Sequence, residues 1–278
     1  MDGQDHVAPE AAIEAPRKPD PVVREIAFSD IADAVAAGLR DLQAAPAYGL
    51  VFGVLYFLGG VMLVASVMAL DAPWLAYPLT AGFALIGPLV AIGLYEVSRL
   101  RERGQHLSWG AILSAMRSQA RQEIGWMSFV VLFVMMMWLY QVRLLLALFL
   151  GFEPISTLRD FLTVVLTTPQ GWMFLAVGHV IGAALSLILF SLTVVSFPIL
   201  LDRQVDFITA MITSLRSVAK NPAPMIAWAA TIVVLLICAT LPFFAGLIVV
   251  LPVLGHATWH LYRKLVAPEE TAATKAAA

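Results

Sequence analysis

Read only as hydrophobic and polar positions, the chain alternates short polar-faced segments with long apolar runs. The runs cover about 47–70, 74–95, 125–150, 171–200, 223–241 and 242–262. Each is near the length of about 20 residues that a helix needs to cross roughly 30 Å of hydrocarbon. They are unbroken rather than alternating, which predicts transmembrane α-helices and not barrel strands. Pro242, in "ATLPFFAG", is expected to set the hairpin that divides the last two runs. The first, third and fifth runs are each introduced by a similar segment, "AVAAGLRDLQAAP", "AILSAMRSQARQE" and "AMITSLRSVAKNP".

Aligning these segments on Arg40, Arg117 and Arg216 brings other columns into register: Ala34, Ala111 and Ala210; Ala37, Ser114 and Thr213; Gly38, Ala115 and Ser214. Apolar stripes at helical spacing run through Ile31, Val35, Leu39 and Leu42, through Ile112 and Met116, and through Phe207, Met211, Leu215 and Val218. Ser29 with Asp30, Ser108 and Asp206 are placed to cap the three helices. Pro88, Pro198 and Pro252 are each followed eight residues later by a polar residue, Glu96, Asp206 or His260. The pattern predicts an all-α polytopic fold of six transmembrane helices. They form three degenerate repeats of an amphipathic cytoplasmic helix plus a transmembrane hairpin, over about 29–98, 105–204 and 205–265. A quasi-threefold bundle is the expected arrangement.

Composition agrees with a membrane class: 60% of the 278 residues are hydrophobic and 13% charged, about half the charged share of a soluble domain. Residues 1–28 are acidic and rich in Pro and Ala, without the basic start and apolar core of a signal peptide. They and residues 266–278 are expected as disordered cytoplasmic tails flanking a membrane domain at 29–265. Arg99, Arg101, Arg103, Arg117 and Arg121 lie between the second and third runs, Arg203, Arg216 and Lys220 between the fourth and fifth, and Arg263 and Lys264 after the sixth. Because cytoplasmic loops retain Lys and Arg, both termini are expected inside. The single cysteine, Cys238, excludes an intramolecular disulfide and a CxxC metal site.

Polar residues within the runs are the places to look for chemistry. No Asp or Glu lies in any run, which argues against a transporter coupled through a buried carboxylate. Arg143 and His179 lie about 10 and 12 Å deep from the outer ends at helical rise, so with Tyr140 and Gln141 they form a candidate polar cluster in the outer leaflet. Gly178 and Gly182 flank His179 at a spacing that admits a close helix. The repeated Arg40, Arg117 and Arg216 have two readings: cations that favour a helix C-terminus and reach lipid phosphate, or three groups converging on one anion or on Glu96 and Asp206. His256 and His260 share a helical face near the inner end, but no carboxylate or cysteine in the run accompanies them. Metal and haem binding are therefore not expected, and the cofactor expectation is none. Between Pro154 and Pro169 an apolar stripe predicts an interfacial or re-entrant helix. Gly49 and Gly53 read as helix-packing positions. No nucleotide, hydrolase or zinc-protease motif is present, and the basic residues are too sparse for nucleic acid.

The segment "FSDIADAVAAGLRDLQAAPAYGLVFGVLYFLGG", with "LIGPLVAIGLYEVSRLRERG" after it, resembles a proteobacterial family of predicted integral membrane proteins whose defining domain has no assigned function. Members are sometimes labelled cytochrome c oxidase subunit I-like. The resemblance implies a six-helix membrane protein in the inner membrane of a bacterium and carries no established catalytic residues. Two function classes follow. One is a non-enzymatic scaffold or assembly factor for a membrane complex such as a respiratory one, with the bilayer and other membrane proteins as partners. The other is a carrier or channel for a lipid-like or small solute. A carrier should have a continuous cavity reaching His179 and Arg143, whereas a scaffold should have a filled centre and an exposed apolar groove.

Overall fold

The computed structural model describes residues 20–68, 90–118, 121–151 and 158–268. The described chain is all-helical: α1 (Phe28–Ala44), α2 (Pro46–Met68), α3 (residues 90–102), α4 (Trp109–Ser118), α5 (Arg121–Leu150), α6 (Leu158–Thr167), α7 (Pro169–Thr193), α8 (Ser196–Asp202), α9 (Phe207–Lys220), α10 (Pro222–Thr240) and α11 (Leu247–Leu265). Four stretches are long and apolar enough to cross a membrane: Pro46–Ala65, Glu123–Leu150, Pro169–Asp202 and Pro222–Thr240. Most of the second expected run lies outside the described residues. The sixth is not among the four. A turn occupies residues 241–246, and α11, starting only at Leu247, ends in the polar "HATWHLYRKL".

Local sequence explains where these helices start and bend. Ser108 and Asp206 cap as expected, accepting from the backbone N–H of Ala111 at 3.1 Å and Thr209 at 2.9 Å. On α1 the acceptor is Asp30 alone, reaching back to the N–H of Ala27 at 2.8 Å. Thr168 caps α7, accepting from Gly171 N at 3.0 Å just behind Pro169. The fourth run breaks at residues 194–195, because Pro198 has no N–H to return to the carbonyl four residues earlier. Ser196 Oγ donates to Leu192 O at 2.5 Å, and Ser214 Oγ accepts from the freed Val195 N at 3.1 Å. The helix expected between Pro154 and Pro169 is present as α6, folded back on α7 so tightly that a Cβ on Gly171 would sit 2.4 Å from Val164 O.

Packing is densest around α11, which lies against α1 and α2. Glycine makes this approach possible. A Cβ on Gly38 would meet Ala257 N and Val253 O at 2.7 Å, and one on Gly53 would meet Ile248 O at 2.1 Å. Ile248 is four residues before Pro252, so its carbonyl lacks a helical donor, and the bare glycine of α2 seats against it.

The amphipathic helices correct one expectation. The buried face of α1 is Ile31, Ala34, Gly38, Asp41 and Leu42, and that of α9 is Ala210, Thr213, Ser214 and Ser217. Leu39 and Leu215, expected on the inner stripe, are exposed. Small side chains shorten the distance between helices, and in a bilayer the large apolar ones lose nothing by facing outward.

The tails need a second correction. Residues 20–27, expected in a free tail, are extended and tied down. Val23 bridges Val266, Arg24 N donates to Leu265 O at 2.7 Å, and Ala267 N donates to Val22 O at 2.9 Å. Asn221 clamps the same segment, accepting from Ile26 N at 2.8 Å and donating to Arg24 O at 3.0 Å. The segment is held because it supplies backbone partners to the end of α11 and to the α9–α10 junction.

Candidate functional site

Asp41 is where the polar end of the molecule converges. It follows Arg40 on α1 and turns inward, while Arg40 is exposed. Ser98 of α3 donates to Asp41 Oδ2 at 2.6 Å, and His260 of α11 approaches the same oxygen through Nε2 at 2.8 Å. Arg101 lies 3.4 Å from Oδ1 and donates to the carbonyl oxygens of Asp41 at 2.9 Å and Arg40 at 3.2 Å. Burial opposes charge on Asp41, but the hydrogen bonds from His260 and Ser98 outweigh it and hold the carboxyl below the usual aspartate range. His256 Nδ1 is 2.8 Å from Ser98 Oγ. Since the one Ser98 proton goes to Asp41, His256 donates from Nδ1, leaving Nε2 as a buried lone pair without a partner.

This order of groups says what the cluster does. In a hydrolase triad the imidazole stands between acid and hydroxyl. Here the hydroxyl stands between acid and imidazole, its proton faces the carboxylate, and Ser98 is fully buried. The arrangement locks three helices together and does not activate a nucleophile. Around it lies an ionic layer: Asp202 of α8 accepts from Arg103 at 3.2 Å, Arg263 at 3.1 Å and Tyr262 Oη at 2.8 Å. Glu102 takes Trp259 Nε1 and Arg263 Nε, each at 3.0 Å. Lys264 meets Asp30 at 2.7 Å and Asp33 at 2.9 Å.

Of the residues singled out from sequence, His256 and His260 belong to this lock. Glu96 is buried and pairs with Arg99 at 2.7 Å. Asp206 serves as the α9 cap. Arg216 pairs with exposed Asp20 at 3.3 Å, and the side chain of Arg117 lies outside the described residues. Neither Arg40 nor Arg216 makes an ion pair with Glu96 or Asp206. Tyr140 and Arg143 face outward, Gln141 is half-buried, and no hydrogen bond joins Arg143 to His179. His179 instead bonds through Nδ1 to Leu175 O of its own helix at 2.7 Å. Among the described residues no group of His, Cys, Asp and Glu is placed to hold a metal.

His179 does line an apolar groove of about 700 Å³ between α5 and α7, with Val233 of α10 at its edge. Trp138 closes over Gly182 on its wall, a Cβ there lying 2.9 Å from the ring, while one on Gly178 would meet Leu145 in ordinary contact at 3.8 Å. Arg143 does not line it.

Long apolar helices whose large side chains face outward, closed at one end by a charged layer, are the make-up of a protein that lives in a bilayer. Residues 76–202 match the family described as "Predicted integral membrane protein (DUF2189)". The protein is an integral membrane protein, and the family that its residues 76–202 match has no assigned function. No curated protein and no solved structure matches the chain. The DUF2189 match takes in α3 to α8, and so includes Ser98, Arg101 and all of the groove lining except Val233. Asp41, His256 and His260 lie outside it.

Sequence reasoning missed Asp41 and Ser98. The repeat drew attention to the arginine column, whereas the next column, Asp41 and Ser217, is the one that turns inward. The signal available was the small-residue columns three and seven positions before Asp41, Gly38 and Ala34, which mark the same face.

Proposed function

We propose that the protein is a non-enzymatic scaffold or accessory factor of a bacterial inner-membrane complex, with both termini cytoplasmic. The observation that carries this reading is the laterally placed groove between α5 and α7. It is apolar, with Gly178 and Gly182 in its lining, and α5 exposes further large apolar side chains away from it, including Phe129, Phe133 and Met137. Such a surface fits a transmembrane helix of another protein, since small residues admit close backbone approach. The tight seat of α11 against α1 and α2 agrees with a packed, rather than open, contact among these three helices. Basic side chains in the charged layer support the cytoplasmic assignment of that end.

The threefold plan is part of this proposal. Each amphipathic helix packs on the exit of the preceding unit taken cyclically: α1 on α11, α4 on α3 through Ile112 with Val97 and Leu100, and α9 on α7 and α8. That is the contact order expected of three units closing a ring, and it favours six crossings. The alternative, a carrier of a lipid-like solute, draws support from His179 at the groove wall. Gentle-detergent purification with mass spectrometry of proteins and lipids separates the two. A reproducible protein partner is expected; a reproducible bound small molecule with no protein partner overturns the scaffold reading.

A further inference from the structure

The outward face of α9 carries a cavity beside its cap Asp206 and the Arg216–Asp20 pair. α9 is 14 residues long, about 21 Å at helical rise, and both its ends are fixed to the entrances of apolar helices. At its start, Phe207 N donates to Glu123 Oε2 of α5 at 2.8 Å, and Phe207 stacks on Trp126 with ring centroids 5.9 Å apart. At its end only Asn221 separates it from α10. On the orientation proposed above, a helix pinned between two such entrances would run along the membrane interface, where Trp is favoured. Its buried side is small and polar, whereas Ile208, Ile212 and Leu215 face outward. This is the orientation of a helix whose apolar side meets acyl chains.

Beside that stripe is a cavity of about 230 Å³ lined by Asp20, Asp206, Thr209, Thr213 and Arg216 together with Ile208 and Ile212. The charges are of both signs, with Arg216 3.3 Å from Asp20 across an exposed contact that water screens. The Arg216 cation suits a phosphate diester and the carboxylates suit a primary ammonium, while the hydroxyls of Thr209 and Thr213 are engaged inside α9, donating to Asp206 Oδ2 and to Thr209 O, each at 2.7 Å. The adjoining isoleucines suit the first methylenes of an acyl chain. An anionic headgroup without an amine would meet the carboxylates unfavourably.

We propose that this cavity is a lipid site on the cytoplasmic leaflet that selects a zwitterionic aminophospholipid. Arg216 takes the phosphate, Asp20 and Asp206 the ammonium, and Ile208 and Ile212 the chain. The full-length protein in nanodiscs of equal parts phosphatidylethanolamine and phosphatidylglycerol with identical chains provides the test, with retained lipid read by native mass spectrometry. The wild type is expected to retain the amine lipid preferentially. Arg216→Gln is expected to lower retention of that lipid roughly fivefold, with Arg216→Lys restoring most of it. Asp20→Asn is expected to erode the preference while leaving total lipid unchanged, and Glu25→Gln, outside the cavity, to change neither. Equal retention of the two lipids by the wild type overturns the proposal. So does a folded Arg216→Gln that retains the amine lipid as before. A photo-crosslinker at position 212 gives a measurement that needs no charge variant: lipid adducts are expected, and a discrete protein adduct in their place refutes the assignment.

Discussion

Replacing Asp41 by Asn removes one charge without changing shape, and the structure sets what that must cost. Asp41 receives Ser98 at 2.6 Å and His260 at 2.8 Å on one oxygen, with Arg101 at 3.4 Å from the other. Hydrogen bonds to a charged group contribute about 1.5–3 kcal/mol each in buried surroundings. An amide oxygen in the place of Oδ2 still accepts from Ser98 and His260, but as a neutral and weaker acceptor, whereas the amide nitrogen in the place of Oδ1 faces Arg101 and repels it. Arg101 is partly exposed, so its share is discounted for solvent screening. The net loss is expected at about 2–4 kcal/mol, a fall of roughly 5–10 °C in Tm for a chain of this size. Thermal unfolding of the detergent-solubilised protein, followed by tryptophan fluorescence, measures it. Arg40→Gln, one residue earlier and exposed, is the control and is expected to stay within about 0.5 kcal/mol of wild type. Combining Asp41→Asn with Ser98→Ala should be strongly non-additive, because both changes break the same bond. A Tm unchanged in Asp41→Asn, or an equal fall in Arg40→Gln, would refute the claim that Asp41 is the inward residue of the repeated pair.

The same carboxyl contributes to the acid limb, together with Asp30 and Asp206, which are also held below the usual range by their hydrogen bonds. The folded value of Asp41 lies below the usual range, so its stabilisation is present above the unfolded value of about 4 and is lost as pH falls through the lower folded value. Asp41→Asn should therefore flatten the dependence of Tm on pH below about 4, and an equally steep acid limb in the variant would count against the assignment. Gly53→Val drives a side chain into Ile248 O, at 2.1 Å from an ideal Cβ, and is expected to cost about 1–3 kcal/mol by overpacking. Gly125→Ala has nothing within 4 Å and should be neutral or stabilising by about 0.5–1 kcal/mol. Glu123→Ala removes the acceptor of Phe207 N, so amide exchange at the start of α9 should speed up while that at its end, held by Asn221, does not. Arg143→Gln and His179→Gln share no contact, and their stability effects should add to within about 0.5 kcal/mol.

What the sequence revealed and what it hid have physical reasons. The apolar runs were legible because a helix in hydrocarbon must be apolar all round, so α2, α5, α7 and α10 stand out by composition. The turn near Pro242, the helix α6 and the caps at Ser108 and Asp206 were legible because local backbone chemistry dictates them. The inner face of α1 was not. In a water-soluble helix the large apolar residues mark the core, and that rule pointed to Leu39. In a bilayer they mark the lipid side equally well, and only the Gly38 and Ala34 columns reveal where the neighbour lies. Asp41 and Ser98 are 57 residues apart in sequence, and no periodicity relates them. The expected meeting of Arg143 with His179 rested on equal depth, which fixes height in the membrane but not rotation about the helix axis. His179 satisfies Nδ1 on its own helix at Leu175 O, and Arg143 is exposed and does not line the groove that His179 lines.

The most direct test of the scaffold reading is photo-crosslinking from inside the groove in living cells. A crosslinking residue replaces Met135 or Leu185, on opposite groove walls, with Val180, an exposed site outside the groove lining, as control. One discrete protein adduct from both groove positions and none from position 180 is the expected result. Adducts with lipid or a small solute alone from positions 135 and 185 would contradict it.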